Sequence, residues 1–422
     1  MRHSAWFFLL PAIAALPAPG ADFYLKQGDR VVFYGDSITD QRLYTTVTEM
    51  YVVTRYPDLD VTFVHSGWGG DKVSGGGGGP IDLRLRRDVE AYHPTVMTIM
   101  LGMNDGSYGP ETEAIDRTFF DGYRHIVEAV RAAEPGVRIT AIRPSPYDDV
   151  TRDPTFVPGY NDTMISFGNW IANYAKEANL NVADLNGPVV AMLKKANELD
   201  HAEAQQILPD RIHPKLGGHL IMAEQLLKSW NARAVVAAVT IDASGREPVV
   251  ESTDHATVTD LEATNGLRWT ELDDALPLPL QEWSSGWGSA PVALAIRASD
   301  VGEALNNEPL KVTGLKNGVY TLKIDDEAIG DYNSDRLAQG INLGLLKTPM
   351  EQQAVKVWEL TMTRGDIHND RWRNIQVPLA DYNLPEAQAA MDPMDALARA
   401  VAAKQHEMAR PKPHHFSLTP IS

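Results

Sequence analysis

The first half of the chain alternates short strand-like runs with longer helical stretches. The runs that predict strands are 31–34, 61–64, 95–101, 137–142 and 181–184, and the stretches that predict helices are 43–55, 115–133, 164–178 and 216–234. The run 95–101 (TVMTIML) is apolar on both faces, as a strand covered on two sides should be. Strands that alternate with helices predict a parallel sheet with helices on both of its faces.

The pattern changes after about residue 239. Residues 240–348 contain short alternating runs separated by Gly and Pro, which predict a smaller β-rich region. In the clearest run, 319–324, alternate side chains are apolar and fall on one face. Lys316-Asn317-Gly318 directly precedes this run, and we expect it to form a hairpin turn.

The last part of the chain, residues 349–422, returns to a helical pattern. We predict helices at 351–361 and 386–408, followed by a tail rich in Pro and His that we expect to be loose. The chain therefore divides into four parts, namely a leader at 1–20, an α/β domain at 21–239, the β-rich region at 240–348 and this C-terminal segment.

The first twenty residues have the pattern of a secretory signal peptide. Arg2 is followed by an apolar stretch at 5–16 and then by the small residues of 18–21. The alternative is a membrane anchor, but a span needs roughly 20 apolar residues, and this stretch is shorter and contains Pro11. We therefore expect a secreted protein, periplasmic or extracellular, whose mature chain begins at Ala21 or the residue after it.

Composition narrows the class of protein further. The chain has 422 residues, of which 44% are hydrophobic, so it can bury a sizeable core. Its formal charge of -18 would be repelled by a phosphate backbone, which argues against nucleic-acid binding. It contains no cysteine, which excludes disulfides, thiolate metal sites and cysteine nucleophiles. No segment after the leader is long and apolar enough to cross a bilayer, so we expect no stable membrane insertion.

Two segments combine residue types that suit nucleophilic catalysis. Gly35-Asp36-Ser37 directly follows the first predicted strand, at the edge of a parallel sheet where ligands bind. Asp210-Arg211-Ile212-His213 precedes the last helix of the alternating region. A carboxylate three residues before a histidine can reach Nδ1 of the ring and leave Nε2 free to take a proton from a serine. Taken singly, each segment is better explained as a helix cap or a surface turn.

Two further segments follow the second and third predicted strands and offer hydrogen-bond donors. Residues 65–71 (HSGWGGD) offer backbone N–H groups that no side chain obstructs, and residues 102–105 (GMND) offer the side-chain amide of Asn104. Acyl transfer needs donors where the carbonyl oxygen becomes negative, and each can be worth about 3–4 kcal/mol in the barrier. The alternatives are a flexible loop, given the glycine run at 75–79, and an ordinary turn at Asn104.

Together, the four segments resemble the SGNH (GDSL-type) hydrolase superfamily. Its sequence blocks are GDS, a glycine in an N-x-G-x-x-G-like loop, G-x-N-D and D-x-x-H, and GDSITD, GWGGD, LGMND and DRIHP match them in order and in approximate spacing. The resemblance implies an α/β fold, a flavodoxin-like α/β/α sandwich, with an esterase-type reaction. We expect no cofactor and no metal. One departure is His65, which stands where the loop of the family commonly begins with Asn.

The resemblance also implies roles for individual residues. Ser37 would be the nucleophile, His213 the base and Asp210 the residue that orients it. The donors to the oxyanion would be the backbone N–H groups of Ser37 and Gly70 and the side chain of Asn104.

Other residues allow two interpretations. Trp68 and Tyr108 lie beside the proposed donors, and they either pack against the protein or form a stacking platform for a sugar ring. Residues 143–149 (RPSPYDD) form either a pocket wall or a structural turn. The densest candidate for a metal site, His368-Asn369-Asp370, lacks partners, and we expect His414 and His415 in the tail not to bind a metal.

We therefore predict a secreted serine esterase that removes small acyl groups, acetyl in the first instance, from a carbohydrate. A lipid or a simple ester is the alternative substrate. A second hypothesis is a carbohydrate-binding protein that keeps the fold without turnover, because residues 240–422 lie outside the four blocks and a fold alone does not guarantee activity. The sequence indicates no particular oligomeric state.

Overall fold

The structure, a computed structural model, describes residues 22–286 and 288–421, so the predicted signal peptide lies outside the described residues. The strands of the first domain are β1 (Arg30–Gly35), β2 (Thr62–Gly67), β3 (Gly75–Gly76), β4 (Gly79–Pro80), β5 (Val96–Met100), β6 (Arg138–Arg143) and β7 (Asn181–Asp184). Five of them form a parallel sheet in the order β2-β1-β5-β6-β7, and β3 pairs only with β4. Counted along the chain, the sheet order is 2-1-3-4-5, as in flavodoxin-like folds.

Helices cover both faces of this sheet. They are α1 (Ser37–Asp40), α2 (Leu43–Arg55), α3 (Ile81–Asp88), α4 (Glu113–Ala133), α5 (Tyr160–Ala178), α6 (Gly187–Leu199), α7 (His201–Ile207) and α8 (Leu216–Ser229). Successive side chains of a strand point to opposite faces. Accordingly, the Phe33 ring centroid lies 6.4 Å from that of Tyr44 in α2, whereas the Tyr34 ring lies under the guanidinium of Arg84 in α3, at 5.1 Å. The predicted α/β/α fold is confirmed.

Helices α3, α6 and α7 did not emerge from the sequence pattern. In α3 (IDLRLRRD) the residues that turn inward are Arg84, Leu85 and Asp88, so two of its three buried side chains are charged. Because the apolar pattern of a helix depends on its buried face, a helix that buries an ion pair shows little of that pattern.

The region after Ala238 contains two further sheets. Their strands are β8 (Ala238–Asp242), β9 (Val249–Asp254), β10 (Ala256–Thr264), β11 (Gly266–Asp273), β12 (Pro309–Thr313), β13 (Val319–Ile324), β14 (Glu327–Asn333), β15 (Ile341–Asn342) and β16 (His414–Pro420). One sheet has the order β10-β11-β16-β13-β14 and the other β15-β12-β8-β9. Short helices accompany them, namely α9 (Leu280–Ser284), α10 (Ala290–Arg297), α11 (Val301–Leu305) and α12 (Ser334–Gln339).

The hairpin turn predicted at Lys316-Asn317-Gly318 is wrong. The strands on either side of it, β12 and β13, belong to different sheets, so this turn carries the chain from one sheet to the other. The hairpin turn lies instead at Asp325-Asp326, between β13 and β14, where φ is 48° and 66°. Two consecutive left-handed residues are what a two-residue type I′ turn requires, and Asp tolerates that conformation.

The C-terminal segment is a helical hairpin that packs on the first domain. It consists of α13 (Pro349–Asn369), a π-helical turn at Asp370–Gln376, α14 (Val377–Leu379) and α15 (Pro385–Ala409). Arg364 of α13 donates to the buried Glu49 of α2 and, over 3.0 Å, to the Phe63 carbonyl of β2. Burial opposes ionisation of Glu49, but Arg364 and His65 outweigh it and lower the pKa of this carboxyl to about 2. In the ranges 22–286 and 288–421, no helix meets the length and apolarity that a membrane span requires.

The expectation of a loose tail is wrong for residues 414–420. They form β16, which pairs with β11 on one side and with β13 on the other. Phe416 is 2% exposed, and its ring centroid stacks 5.1 Å from that of Trp269. The alternation of buried and exposed residues in HHFSLTP supports this position, since a central strand of a sheet with one buried face alternates in this way.

Phe416→Ala should therefore lower the free energy of unfolding by about 3–5 kcal/mol, because it leaves a cavity against Trp269. Thr419→Ala is the matched control. Thr419 is an exposed residue of the same strand, so its substitution should lower the free energy of unfolding by no more than about 0.5 kcal/mol. Chemical denaturation measures both. Equal stabilities of the two variants would contradict the central place of β16.

Candidate active site

Ser37 lies where the first strand turns sharply into a helix. It is the first residue of α1, and Oδ1 of Asp36 caps this helix by accepting the Ile38 N–H at 3.0 Å. A Cβ on Gly35 would approach the Met100 carbonyl oxygen of β5 to 2.6 Å, so only glycine fits there. Burial, with help from the nearby Asp105 and Asp71, raises the pKa of Asp36 to about 7. The turn holds the Ser37 hydroxyl at the carboxyl edge of the sheet, between β1 and β5, where the strand order reverses.

Ser37, His213 and Asp210 form a continuous chain of hydrogen bonds. The Ser37 Oγ lies 2.8 Å from His213 Nε2, and His213 Nδ1 lies 2.7 Å from Asp210 Oδ2. The other carboxylate oxygen of Asp210 accepts the backbone N–H of His213 at 2.8 Å and that of Ile212 at 3.0 Å. Partial burial acts to raise the pKa of Asp210, but the hydrogen bonds from His213 and Ile212 outweigh it and keep that pKa below its usual value. This arrangement can move a proton from the serine to the imidazole while a carboxylate stabilises the resulting cation.

The loop that carries His213 is held from within the first domain. Arg211 has φ +71°, and its carbonyl accepts the Asp148 N–H at 2.9 Å while its guanidinium donates to the Asp148 carbonyl at 3.1 Å. Residues 143–149 therefore support the loop that carries His213, which favours the structural interpretation of this stretch.

Gln41 and the buried His219 also support the loop that carries His213. Nδ1 of His219 accepts the Tyr44 backbone N–H at 3.2 Å, so Nε2 carries the proton and donates to Gln41 Oε1 at 3.1 Å. Gln41 in turn donates to the carbonyl of Pro214, next to His213, at 3.1 Å. Burial lowers the pKa of His219 to about 3, so this ring stays neutral and its tautomer is fixed.

The two proposed oxyanion donors outside α1 lie on adjoining loops. The Asn104 amide donates to the Asp71 carbonyl at 3.0 Å, which joins the loop after β5 to the residue that follows Gly70. Gly70 has φ +77°, a backbone conformation that glycine adopts readily. An amide nitrogen has two hydrogens, so Asn104 keeps a second one to donate.

Tyr108 fixes the orientation of that amide. Its hydroxyl donates to Asn104 Oδ1 at 2.8 Å, which leaves the nitrogen as the group free to donate elsewhere. Ser107 and Tyr108 both have φ 58°, an unfavourable conformation for residues other than glycine. Tyr108 is 43% exposed and lies beside Asn104. One edge of the Tyr108 ring is thus bonded to Asn104, and the residue still faces solvent.

Trp68 has a face that is already covered. The guanidinium carbon of Arg373 lies 3.5 Å from the centroid of its ring, and those of Arg84 and Arg87 each lie at 5.3 Å. This packing favours the structural interpretation of Trp68 over a sugar platform. His65, which stands where the family commonly has Asn, is buried and bonds Thr45 at 2.7 Å.

Arg84 is a functional neighbour that the sequence pattern did not indicate. It is fully buried and donates to Asp71 at 2.6 Å, to the Ser66 carbonyl at 2.8 Å and to Asp88. It thereby fixes both ends of the loop between Ser66 and Asp71. The one indication in the sequence of an ion pair at this position was the spacing of Arg84 and Asp88, which are one helical turn apart.

Metal binding finds no support in the described part of the chain, which contains no group of three or more His, Asp or Glu residues placed to hold an ion. His368 is half-buried, with its ring centroid 5.6 Å from that of Tyr92 and 6.1 Å from that of Trp372. Burial lowers the pKa of His368 to about 3, as expected of a neutral packing residue. His414 and His415 lie in β16.

Comparison with known proteins identifies the class. Residues 33–221 match the model of the GDSL-like Lipase/Acylhydrolase family, and this range contains all four sequence blocks. The resemblance to SGNH (GDSL-type) hydrolases predicted from the four blocks is therefore confirmed for this part of the chain. Its class is that of the ester-hydrolysing hydrolases.

Individual relatives extend the comparison. The acetylxylan esterase of Geobacillus stearothermophilus is 26% identical over 223 residues, which cover 48% of this chain and 94% of that protein. The solved structure of a gut microbial diltiazem-metabolizing enzyme has a TM-score of 0.79 and 27% identity, over 94% of this chain and 98% of that one. The first likeness covers about as much of the chain as the α/β domain. The second extends over the β-rich region and the C-terminal helices as well.

Asn104→Ala should lower kcat by about 100- to 1000-fold if the amide donates to the developing negative charge. KM should move little, because the neutral carbonyl of the bound substrate needs that donor far less than the transition state does. The lost bond to Asp71 should cost about 1 kcal/mol of stability, which a thermal midpoint measures. An unchanged kcat in the folded variant would remove Asn104 from the site.

Proposed function

We propose that this protein is a secreted serine esterase that removes small acyl groups, above all acetyl, from a carbohydrate. The observation that carries the proposal is the unbroken chain from Ser37 Oγ through His213 to Asp210, with distances of 2.8 and 2.7 Å. The residue types and their order match the superfamily blocks, and the hydrogen bonds have the geometry that proton transfer needs.

In this mechanism the Ser37 oxygen attacks the ester carbonyl carbon and His213 takes the serine proton at Nε2. Asp210 stabilises the imidazolium through Nδ1, and the negative oxygen is held by the backbone N–H groups of Ser37 and Gly70 and by the Asn104 amide. His213 then protonates the departing alcohol, which leaves an acyl group on Ser37. A water molecule, deprotonated by His213, attacks the acyl carbon. The bond to the Ser37 oxygen then breaks, His213 returns its proton to that oxygen, and the carboxylic acid is released.

Three observations support a carbohydrate as the alcohol part. The relative from Geobacillus stearothermophilus is named an acetylxylan esterase. The side chains of His213 and Asp210 are 35% and 53% exposed, so a bulky glycan has access to the nucleophile. Tyr108 adds an exposed aromatic ring with its polar end at Asn104, which suits a sugar.

Secretion is part of the same proposal. It rests on the charged start, apolar stretch and small-residue exit within residues 1–20. N-terminal sequencing of the protein from its native host should give a mature start at Ala21 or Asp22. A cytosolic protein that retains residues 1–20 would contradict it.

Ser37→Ala and His213→Ala should each abolish nearly all hydrolysis, and the double variant should be no worse than either, because the two residues act as one unit. A serine-reactive fluorophosphonate should label wild-type protein at Ser37 and leave Ser37→Ala unlabelled. Asp210→Asn should lower the rate of hydrolysis less than His213→Ala does if backbone groups also orient the His213 ring. A wild-type protein that is inactive and unlabelled would instead favour a carbohydrate-binding protein without turnover.

The substrate is tested by comparing kcat/KM on acetylated xylo-oligosaccharides with values on aryl esters of increasing acyl length. The proposal expects the acetylated glycans to be preferred and activity to fall as the acyl chain lengthens. Ser37→Ala is the matched control for background hydrolysis. A marked preference for long chains would exclude the carbohydrate assignment and favour a lipid ester.

A further inference from the structure

The C-terminal helices reach the rim of the active site through the π-helical turn at Asp370–Gln376. Two consecutive residues of this turn contact the first domain. The Trp372 indole N–H donates to Asp88 Oδ1 at 2.6 Å, and the Arg373 guanidinium donates to the Gly67 carbonyl at 3.3 Å. π-helical turns inside α-helices occur frequently at functional sites.

Arg373 makes contacts along the loop that precedes Gly70. Its guanidinium carbon lies 3.5 Å from the centroid of the Trp68 ring, and it forms an ion pair with Asp40 Oδ1 at 3.5 Å. The other oxygen of Asp40 accepts the Gly69 backbone N–H at 3.2 Å. Arg373 and Asp40, which are paired with each other, thus contact three consecutive residues of the loop, 67, 68 and 69.

The loop needs such outside support at this point. Gly69 and Gly70 have no side chains, and a Cβ built on Gly70 would meet no atom within 4 Å. Consecutive glycines have the widest choice of backbone conformations, so the direction of the Gly70 N–H depends on what holds the residues before it. A planar guanidinium can stack on an indole and donate to a carboxylate and a carbonyl at the same time, which a lysine cannot do.

We propose that Arg373 is a positioning residue, which aims the Gly70 N–H at the developing oxyanion by fixing residues 67–69 through Trp68 and Asp40. This inference rests on the proposed esterase function. It assigns a part of the active site to a segment that lies outside residues 33–221, the range of the family match.

Arg373 is not needed to attach the C-terminal helices. Arg364 bonds Glu49 and the Phe63 carbonyl, Arg42 pairs with Asp366 at 2.8 Å, and Trp372 bonds Asp88. A variant that lacks the Arg373 guanidinium keeps all of these contacts. We therefore expect its loss to act on the reaction rather than on folding.

The test compares Arg373→Met with Arg371→Met in the full-length protein. Arg371 belongs to the same π-helical turn but pairs with Asp395 and Gln376 within the C-terminal segment, so it is a matched control. Arg373→Met should lower kcat and the fluorophosphonate labelling rate by about 10- to 100-fold, because a donor displaced by about 1 Å loses much of its effect. KM should stay within about twofold, and Arg373→Lys, which retains the charge, should recover part of the loss.

A double-variant cycle identifies the path of the effect. Arg373→Met and Asp40→Asn act on the same loop, so their effects on kcat/KM should be less than multiplicative. Arg373 and Thr419 lie in separate parts of the structure, so the effects of Arg373→Met and Thr419→Ala on kcat/KM should multiply.

The outcomes are distinguishable. Wild-type kcat and labelling in Arg373→Met, with Ser37 of the wild type active, would overturn the positioning role and leave the esterase function intact. Equal losses of kcat in Arg371→Met and Arg373→Met, with equal falls in the thermal midpoint, would also overturn it, because attachment of the helices would then explain both. A wild-type protein that neither hydrolyses esters nor reacts with fluorophosphonate at Ser37 would refute the function on which the inference rests.

Discussion

The arrangement of the site depends on one buried cation, the guanidinium of Arg84. It lies over the rings of Tyr34, Trp68 and Trp372, at 5.1, 5.3 and 5.8 Å, and bonds two buried carboxylates. Removing three charges from water is costly, and the cost is offset only because each charged group finds several partners. Asp88 also accepts the Trp372 indole, and the backbone carbonyl of Asp71 accepts Asn104. The loop, helix α3 and the C-terminal segment are therefore held by a shared network. Loss of the cation would remove the charge that Asp71 and Asp88 share, and Asp88 would keep its ion pair with Arg87 at 2.7 Å.

The two halves of the proposed catalytic apparatus are supported differently. The loop with His213 takes its supports from Asp148 and Gln41, both inside the range of the family match. The loop with Gly70 is supported partly by Trp372 and Arg373, which come from far along the chain. A chain truncated after residue 239 would therefore keep the residues that hold the His213 loop. It would lose Trp372 and Arg373, which hold the Gly70 loop. The boundary drawn from the sequence at residue 239 separates this loop from the residues of the C-terminal segment that contact it.

The parts that were predictable are those with a local physical signal. The run 95–101 is apolar on both faces because both faces of β5 are buried. Ser37, Asn104 and His213 each follow or precede a recognisable element. Arg84 and Arg373 were not predictable, because an arginine in a charged stretch has the pattern of a surface residue until its distant partners are known. The prediction of a loose tail at residues 414–420 was wrong for a related reason. The prolines and histidines around them suggested a tail, and the pairing that makes them a strand lies with β11 and β13, far away in sequence.

The place of β16 in its sheet has a consequence for synthesis of the chain. Before residues 414–420 exist, the sheet can form only as two separate hairpins, β10 with β11 and β13 with β14. Each hairpin then has an additional unpaired edge, at β11 and at β13, which β16 covers in the complete sheet, and these edges invite pairing with other chains. Ribosomes add roughly 5–20 residues per second, so the stretch of about 80 residues from β14 to β16 leaves both edges open for several seconds. During this interval the nascent chain would benefit most from a chaperone that shields strand edges. The interval ends when β16 inserts between β11 and β13.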